Sequence, residues 1–243
     1  MSAYTRMPAM TLEFATKFAT GSTYGSTAGQ IIDWTPSLAA RSWFKRSIDV
    51  VASGLGLIVL LPVFVVLAGT IRADSRGPVF FRQARMGLGG RSFSCWKFRT
   101  MVSDAEERLE QLENCNEAVG GVLFKIKQDP RITTLGRFLR RSSLDELPQL
   151  WNVLRGEMSL VGPRPLQLRD SERLANLDYD EYMQRLSVSP GITGPWQVGG
   201  RSDVDVSGMM KLDLDYVNHW SIRSDFRILG KTVGVVLAGK GAC

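Results

Sequence analysis

The longest uncharged apolar run in the chain extends from Val50 to Ile71. As one straight helix it would measure roughly 33 Å, enough to cross the hydrocarbon core of a bilayer. Pro62 interrupts it, and a proline inside a helix removes a backbone donor and collides with the preceding turn. Both flanks are basic, with Arg41, Lys45 and Arg46 before the run and Arg72 and Arg76 after it. Positive flanks prefer the cytoplasmic side of a membrane. Two courses fit: a spanning helix with a proline kink, and a re-entrant helix that breaks at Pro62 and returns to the side it left. The first is tolerated where neighbours re-satisfy the freed backbone groups. The second satisfies both basic flanks at once.

The pattern changes on either side of this run. Residues 1–40 are rich in Ser, Thr, Ala and Gly and are expected to be disordered: GSTYGSTAGQ (21–30) has no apolar period, while MTLEFATKFA (10–19) could form a short amphipathic turn or two. After Gly77 the chain reads as water-soluble. PVFFRQARMG (78–87) and SFSCWKFRTM (92–101) predict two strands joined at Gly89–Gly90, and GVLFKIK (121–127) predicts another. Helices are expected over 104–115, 134–142, from about Asp145 to Gly156, and over 166–186, 207–219 and 225–238, with a Gly/Pro loop at 188–201. The expected architecture is α/β, mainly helical with a small sheet. Its parts are a disordered 1–40 segment, a re-entrant membrane helix over 41–76, and a catalytic domain over 77–243 with interfacial amphipathic helices.

Composition narrows the chemistry. The formal net charge is +6, which points to an anionic partner such as lipid headgroups, phosphorylated substrates or nucleic acid. Three scattered cysteines, Cys95, Cys115 and Cys243, make a disulfide framework improbable, and a single histidine, His219, leaves too few ligands for a zinc cluster. A reducing, cytosol-facing protein using a hard metal or none fits both facts.

Four constellations carry candidate chemistry. In SSLDELPQL (142–150), Pro148 is accepted only in the first turn of a helix, so Asp145 and Glu146 fall at a helix start. There the helix dipole favours ionised carboxylates, suited to act as a nucleophile or a Mg2+ ligand. The competing reading is a capping box, Ser143-x-x-Glu146. Lys125, Lys127, Arg131, Arg137, Arg140 and Arg141 form a basic approach to this pair, either for a diphosphate or as a solvated or lipid-facing surface. VGPRPLQ (161–167) stiffens the chain around Arg164. PGITGPWQVGGR (190–201) carries Trp196, Gln197 and Arg201, for a sugar or base, or with the Trp simply anchoring the loop. Asp203-Val-Asp205 and Asp213-Leu-Asp215 match a short metal-binding Asp-x-Asp pattern, although solvated acids explain them as well. GLGG (87–90) lacks the lysine of a phosphate-binding loop, and a hairpin turn suffices.

The order and wording of FKRSIDVVASGLGLIVLLPVFVVLA, GPVFFRQARMG, FSCWKFRTM, RRSSLDELPQLWNVLRGEMSLVGPRP and PGITGPWQVGGR resemble the bacterial sugar transferase family, the monotopic phosphoglycosyl transferases. The resemblance covers about residues 43–238 and is most specific from SLDELPQ to GPRP. It implies a re-entrant helix broken at Pro62 and a cytosol-facing catalytic domain on the bacterial inner membrane. It also implies an Asp–Glu dyad at Asp145 and Glu146. In that family the Asp attacks the β-phosphate of a UDP-sugar, releases UMP and holds a covalent phosphosugar, which undecaprenyl phosphate then accepts. Mg2+ contacts the Asp, and the Glu orients the metal or deprotonates the acceptor. Lys97, Arg99, Arg140 and Arg164 match residues expected to face substrate phosphates. The implied partners are a UDP-sugar, undecaprenyl phosphate and membrane lipid, without nucleic acid and with no stated oligomeric state. Leu61 precedes the proline where many relatives carry Ser, and Pro195 replaces a bulky residue. Two alternatives stand beside this reading. One is a metal-dependent glycosyltransferase on a spanning helix, which would release UDP. The other is a non-catalytic basic membrane adaptor.

Overall fold

The structure is a computed structural model that describes residues 37–108, 112, 126, 128–200 and 204–238. After a short helix α1 (Leu38–Arg41), two longer helices α2 (Trp43–Val59) and α3 (Leu61–Asp74) carry the apolar run. They meet at a bend of 59°. The break falls at Leu60, ahead of the expected Pro62, because the proline ring excludes the carbonyl four residues back. Pro62 thereby occupies the first turn of α3, where its missing donor costs nothing. Leu60 donates to the Gly56 carbonyl at 2.9 Å and accepts from the Phe64 amide at 2.9 Å, so few backbone groups go unpaired at the bend. Among the described residues no single helix is long and apolar enough to cross a membrane, but the bent pair passes that test together.

Helix α2 is inverted relative to a helix of a water-soluble protein. Its buried residues are Lys45, Asp49 and Ser53, spaced four apart on one face. Val51, Leu55, Ile58 and Val59 are exposed. The buried stripe is matched by partners in the rest of the molecule. The Lys45 ammonium donates to Asp225 at 2.6 Å and to the Val161 carbonyl at 3.0 Å. Asp49 accepts from the Leu160 amide at 2.9 Å.

The expected hairpin forms as β1 (Phe80–Met86) and β2 (Ser92–Phe98), antiparallel, with Phe80 opposite Phe98 and Phe81 opposite Lys97. A 3-10 turn at Leu88–Gly90 joins them, as a turn rather than a phosphate loop. Helix α4 (Thr134–Arg141) follows, capped by the Thr133 hydroxyl, which accepts from the Gly136 amide at 3.0 Å. Beyond it come α5 (Gln149–Arg155), β3 (Ser159–Val161), α6 (Leu168–Leu177), α7 (Tyr179–Arg185), β4 (Gly191–Thr193), α8 (Pro195–Val198), α9 (Val206–Asn218) and α10 (Ile222–Ala238).

Three expectations are corrected here. The single helix expected over 166–186 is two, because Asp178 is extended and caps the second through its carboxylate on the Glu181 amide. The Gly/Pro segment at 188–201 is not all loop: it contains β4, which pairs in parallel with β3, and the short α8. That pairing depends on close backbone approach, since a Cβ on Gly191 would lie 2.1 Å from the Gly162 nitrogen. The expected helix from Asp145 starts only at Gln149, after a separate 3-10 turn at Leu144–Glu146. The strand expected at 121–127 and the later part of the 104–115 helix lie outside the described residues, as does nearly all of 1–40.

The described residues are mainly helical, with two small two-stranded sheets. One core cluster matters most for the site: Leu67 and Ile71 of α3, Phe98 of β2 and Leu139 of α4, with Leu144 and Leu147 packed against it. It sets the bent pair, the hairpin and the acidic turn in one apolar contact. Leu139 has no exposed surface there. Leu139→Ala is expected to destabilise the folded protein by about 2–5 kcal/mol. Leu177→Ala, at an exposed position, should stay within about 0.5 kcal/mol. Denaturant titration of both variants in the same detergent checks the pair.

Candidate active site

The acidic turn is held from three directions. Behind it, Ser143 takes a left-handed conformation at φ 56°, which redirects the chain from α4 into the turn. The Ser143 side chain makes no capping bond, so the capping-box reading of Ser143-x-x-Glu146 is not realised. Ahead of the turn, Pro148 is the N-cap residue of α5. Beneath it, the fully buried Asn152 of α5 grips β2: its Oδ1 accepts from the Trp96 amide at 3.0 Å and its Nδ2 donates to the Ser94 carbonyl at 2.8 Å. This amide ties the helix after the acids to the strand that carries Lys97.

The two acids have unequal surroundings. Glu146 Oε1 accepts from the Lys97 ammonium at 2.6 Å and from Arg164 at 2.7 Å, and the second Arg164 nitrogen lies 3.4 Å from Oε2. Asp145 has Lys97 at 3.9 Å and, among the described residues, no hydrogen bond to its carboxylate. Burial acts on both carboxyls, with opposite outcomes. For Glu146 burial is outweighed by Arg164 and Lys97, which hold it well below the usual carboxylate range. For Asp145 burial dominates, reinforced by the neighbouring Glu146 charge and only partly offset by Lys97, so its pKa is raised. This corrects the expectation that a helix dipole keeps Asp145 readily ionised: the acids precede α5 in their own tight turn, and desolvation governs Asp145.

Arg164 is aimed by a chain of buried contacts. Its carbonyl accepts from Arg185 at 2.7 Å, and Arg185 Nε donates to Asp213 at 2.8 Å in an ion pair almost without solvent contact. Arg85 donates to the next carbonyl, that of Pro165. Burial raises the Asp213 pKa and Arg185 works against it. Asp213 is thus neither a solvated acid nor half of an Asp-x-Asp metal pair. Asp215 is exposed beside His219, and Asp205 caps α9 through the Gly208 amide at 2.8 Å. Asp203 lies outside the described residues.

The structure brings Lys97, Arg164, Asp145 and Glu146 together, with Arg140 alongside. Arg140 Nε donates to the Thr100 hydroxyl at 3.0 Å, and burial lowers its pKa while the Asp145 charge gives its cationic form the largest support. Arg99 is not in this group. Its guanidinium donates to the Ile71 carbonyl, the Ser75 carbonyl and the Ser75 hydroxyl, at the end of α3. Trp196 packs against the core cluster around Met86 and Tyr182, and Gln197 is buried with its Nε2 3.4 Å from the Ile192 carbonyl. Both brace the segment after β4. Arg201, Lys125 and Lys127 lie outside the described residues. Arg131 is spent on Asp129 at 2.6 Å, while Arg137 and Arg141 are exposed. Arg85, Asn152, Arg185 and Asp213 are site residues that the sequence does not single out, although Arg85 and Asn152 lie in stretches that carry the resemblance and Asp213 in an Asp-x-Asp pattern.

A carboxylate with free lone pairs beside a fixed carboxylate and several cations suits attack on an anionic phosphorus centre. Among the described residues no three His, Cys, Asp or Glu side chains converge on one metal position. Mg2+ does not require this, since it is commonly held by one or two carboxylates, water and substrate phosphates. Asp145 offers such a carboxylate, whereas Glu146 is already engaged by Lys97 and Arg164.

Residues 40–239 match the bacterial sugar transferase family. The UDP-galactose-lipid carrier transferase of Erwinia amylovora is 45% identical over 203 residues, covering 82% of this chain and 42% of the relative. The undecaprenyl-phosphate galactose phosphotransferase of Salmonella typhimurium is 44% identical over 212 residues, covering 85% and 43%. The exopolysaccharide production protein ExoY of Rhizobium meliloti is 40% identical over 206 residues, covering 82% and 87%. The chain therefore spans less than half the length of the first two and most of the third.

The unequal acids give a direct titration test. Lys97 favours the ionised form of Asp145, so removing its charge must move the Asp145 midpoint upward. Lys97→Gln is expected to raise that midpoint, read from the side-chain carboxyl resonance of 13C-labelled aspartate, with Asp145→Asn identifying the signal.

Proposed function

The chain belongs to the bacterial sugar transferase family, and from that premise we propose that it moves a hexose-1-phosphate from a UDP-sugar onto undecaprenyl phosphate, initiating exopolysaccharide or O-antigen assembly. The observation that carries the mechanism is the asymmetry of the dyad: Glu146 is fixed by two cations, and the Asp145 carboxylate accepts no hydrogen bond from the described residues. In the proposed reaction an Asp145 oxygen attacks the β-phosphorus of the donor. The bond to the bridging oxygen breaks and UMP leaves with the electron pair. The phosphate oxygen of undecaprenyl phosphate then attacks the same phosphorus and releases the Asp145 carboxylate. Splitting the transfer in this way replaces one difficult displacement by two easier ones.

The lowered pKa of Glu146 makes it a weak base, which favours a role in holding Lys97 and Arg164 toward the substrate phosphates. Arg140, within the electrostatic influence of Asp145, would meet a further substrate phosphate oxygen. Mg2+ would be held by Asp145 with the substrate's own phosphate oxygens, and when bound it supplies neutralisation of diphosphate charge. Relatives named for galactose and for glucose transfer support a UDP-hexose donor.

The outward apolar face of α2, with the exposed Val65 and Val66 of α3, supports a bilayer as the environment of the bent pair. A re-entrant course at the inner membrane, with the catalytic part on the cytosolic side, brings an aqueous donor and a lipid acceptor to one interface. Phe138 of α4, Trp151 of α5 and Phe226 of α10 are also exposed and suit insertion at its rim.

Incubation with UDP-sugars, undecaprenyl phosphate and Mg2+ should release UMP. Asp145→Asn should abolish both UMP release and covalent labelling by a donor radiolabelled in the sugar. Release of UDP instead would favour the glycosyltransferase alternative, and labelling that persists in Asp145→Asn would remove the nucleophile assignment. For the topology, Ser47→Cys and Ala73→Cys should each react with an impermeant thiol reagent from the cytosolic side alone. Periplasmic reaction of Ser47→Cys would restore a spanning helix.

A further inference from the structure

Two arginines join the bent helix pair to the catalytic part in a reciprocal way. Arg46 projects from α2, and its two terminal nitrogens donate to the Val153 carbonyl at 2.6 Å and the Leu154 carbonyl at 2.8 Å. These belong to the last turn of α5, the helix that follows the acidic turn, where carbonyls run out of i+4 amide partners and the Val153 carbonyl also accepts from the Gly156 amide at 2.9 Å. Arg99 projects from the segment immediately after β2. One of its nitrogens donates to the Ser75 carbonyl at 2.6 Å, with the Ile71 carbonyl at 3.4 Å, at the last turn of α3. In each case a guanidinium meets the negative end of a helix dipole, an attraction strengthened by partial burial. One arginine reaches from the helix pair to the site, and the other reaches back.

The backbone makes room for both. Gly156, at φ 83°, ends α5 beside Arg46, and a Cβ there would come within 3.4 Å of an Arg46 nitrogen. Gly77, at φ 128°, wraps Arg99 so closely that a Cβ would lie 2.3 Å from one. At each junction the backbone takes a conformation that favours glycine, and at Gly77 the missing side chain also leaves the space the guanidinium fills. Between the junctions lie the reacting groups. Asp145 and Glu146 precede α5, and Lys97 lies two residues before Arg99 on β2.

We propose that Arg46 and Arg99 are positioning residues for the lipid half of the reaction, fixing Asp145 and Lys97 at a set depth relative to the bend at Leu60. The proposal rests on the lipid-facing, two-step reading above. It assigns Arg99 away from the substrate phosphates and gives Arg46 a task besides orienting the helix pair. Its consequence is a split between the half-reactions. Attack on the soluble donor needs only the local geometry of the dyad. Discharge onto a phosphate whose chain is confined to the bilayer also needs the dyad at the depth of that phosphate, and displacements of about 1 Å can cost orders of magnitude in rate.

The test uses the full chain in lipid nanodiscs. Arg46→Gln and Arg99→Gln should keep the UMP burst without acceptor within about twofold, and slow discharge onto undecaprenyl phosphate by about tenfold or more. A short-chain, water-soluble polyprenyl phosphate should be discharged at near the parent rate by the same variants. Arg46→Lys and Arg99→Lys, which keep a cationic donor but lose the fork, should fall between. A distance measurement avoids reliance on activity. Spin labels on Ile58→Cys and Leu177→Cys, both exposed, in a Cys115→Ser, Cys243→Ser background, should give a narrow distribution that broadens in both Gln variants. A burst that falls in parallel with discharge, equal slowing with the short acceptor, or an unchanged distribution would each overturn the proposal. If the parent releases no UMP from any UDP-sugar, the proposed function fails, and the distance distribution alone decides the positioning claim. Where a Gln variant does not fold, its Lys variant decides by the same measurements.

Discussion

The ammonium of Lys45, buried between Asp225 and the Val161 carbonyl, is the contact from which the rest of the arrangement follows. A helix that turns its apolar residues outward must turn its polar ones inward, and a buried charge is tolerated only with a partner and further hydrogen bonds. Asp225 is such a partner, and it is itself held by the Tyr216 hydroxyl at 2.8 Å and the Trp220 indole at 3.2 Å. Lys45 and Asp49 together grip both ends of the Leu160–Val161 step in β3. The chain leaving β3 runs through Gly162 and Pro163 into Arg164. The position of that guanidinium on Glu146 is therefore tied to the polar stripe of α2. From Glu146 the contacts continue through Lys97 to β2 and through Arg99 to α3. The polar contacts form a closed circuit that begins in one half of the bent pair and ends in the other.

Within that circuit the site spends its cations unequally. Two adjacent carboxylates in a poorly solvated place cannot both be fully compensated by one lysine and one arginine. Arg164 and Lys97 make their short contacts with Glu146. The result is one acid that stays charged and fixed and one that is desolvated, close to a cation and unbonded. Separating the protonation behaviour of paired carboxyls by their surroundings is a general way to divide roles between them. Here the division follows from which acid the GPRP segment faces. The buried Arg185–Asp213 pair serves this geometry by holding the Arg164 carbonyl. It costs desolvation of two ions in return for the direction of one backbone segment.

What could be read from the sequence is what local signals encode. The hairpin follows from alternation and a Gly-Gly turn, the break in the apolar run from Pro62, and the nearness of the acids to a helix start from Pro148. The long-range pairs were not legible. The β3–β4 pairing joins two short strands separated by two helices, and no periodicity marks a three-residue strand. Asp213 looked solvated because the pattern along α9 reveals which face is polar, not that Arg185 lies opposite. Arg99 lies just past the end of the strand that carries Lys97, and motif order placed both at phosphates, yet its guanidinium ends on α3. The basic flanks are also partly reassigned. Lys45 and Arg46 are consumed by Asp225, Val161, Val153 and Leu154, and Arg72 donates to the Gly77 carbonyl at 2.7 Å.

That reassignment bears on how charge and topology are related in such a chain. A basic residue next to an apolar run is ordinarily taken as a signal to the membrane. Here Lys45 and Arg46 have internal partners in the part of the chain after the run. A spanning course would place one basic flank on the far side of the bilayer, and the carbonyls and carboxylates it serves would have to go with it. Both flanks contact the folded part that follows, Lys45 and Arg46 through β3, α5 and α10, and Ser75 through Arg99. Their partners support the proposed re-entrant course on grounds that do not depend on counting charges. The bend at Leu60 is then the geometric requirement that lets both ends reach them.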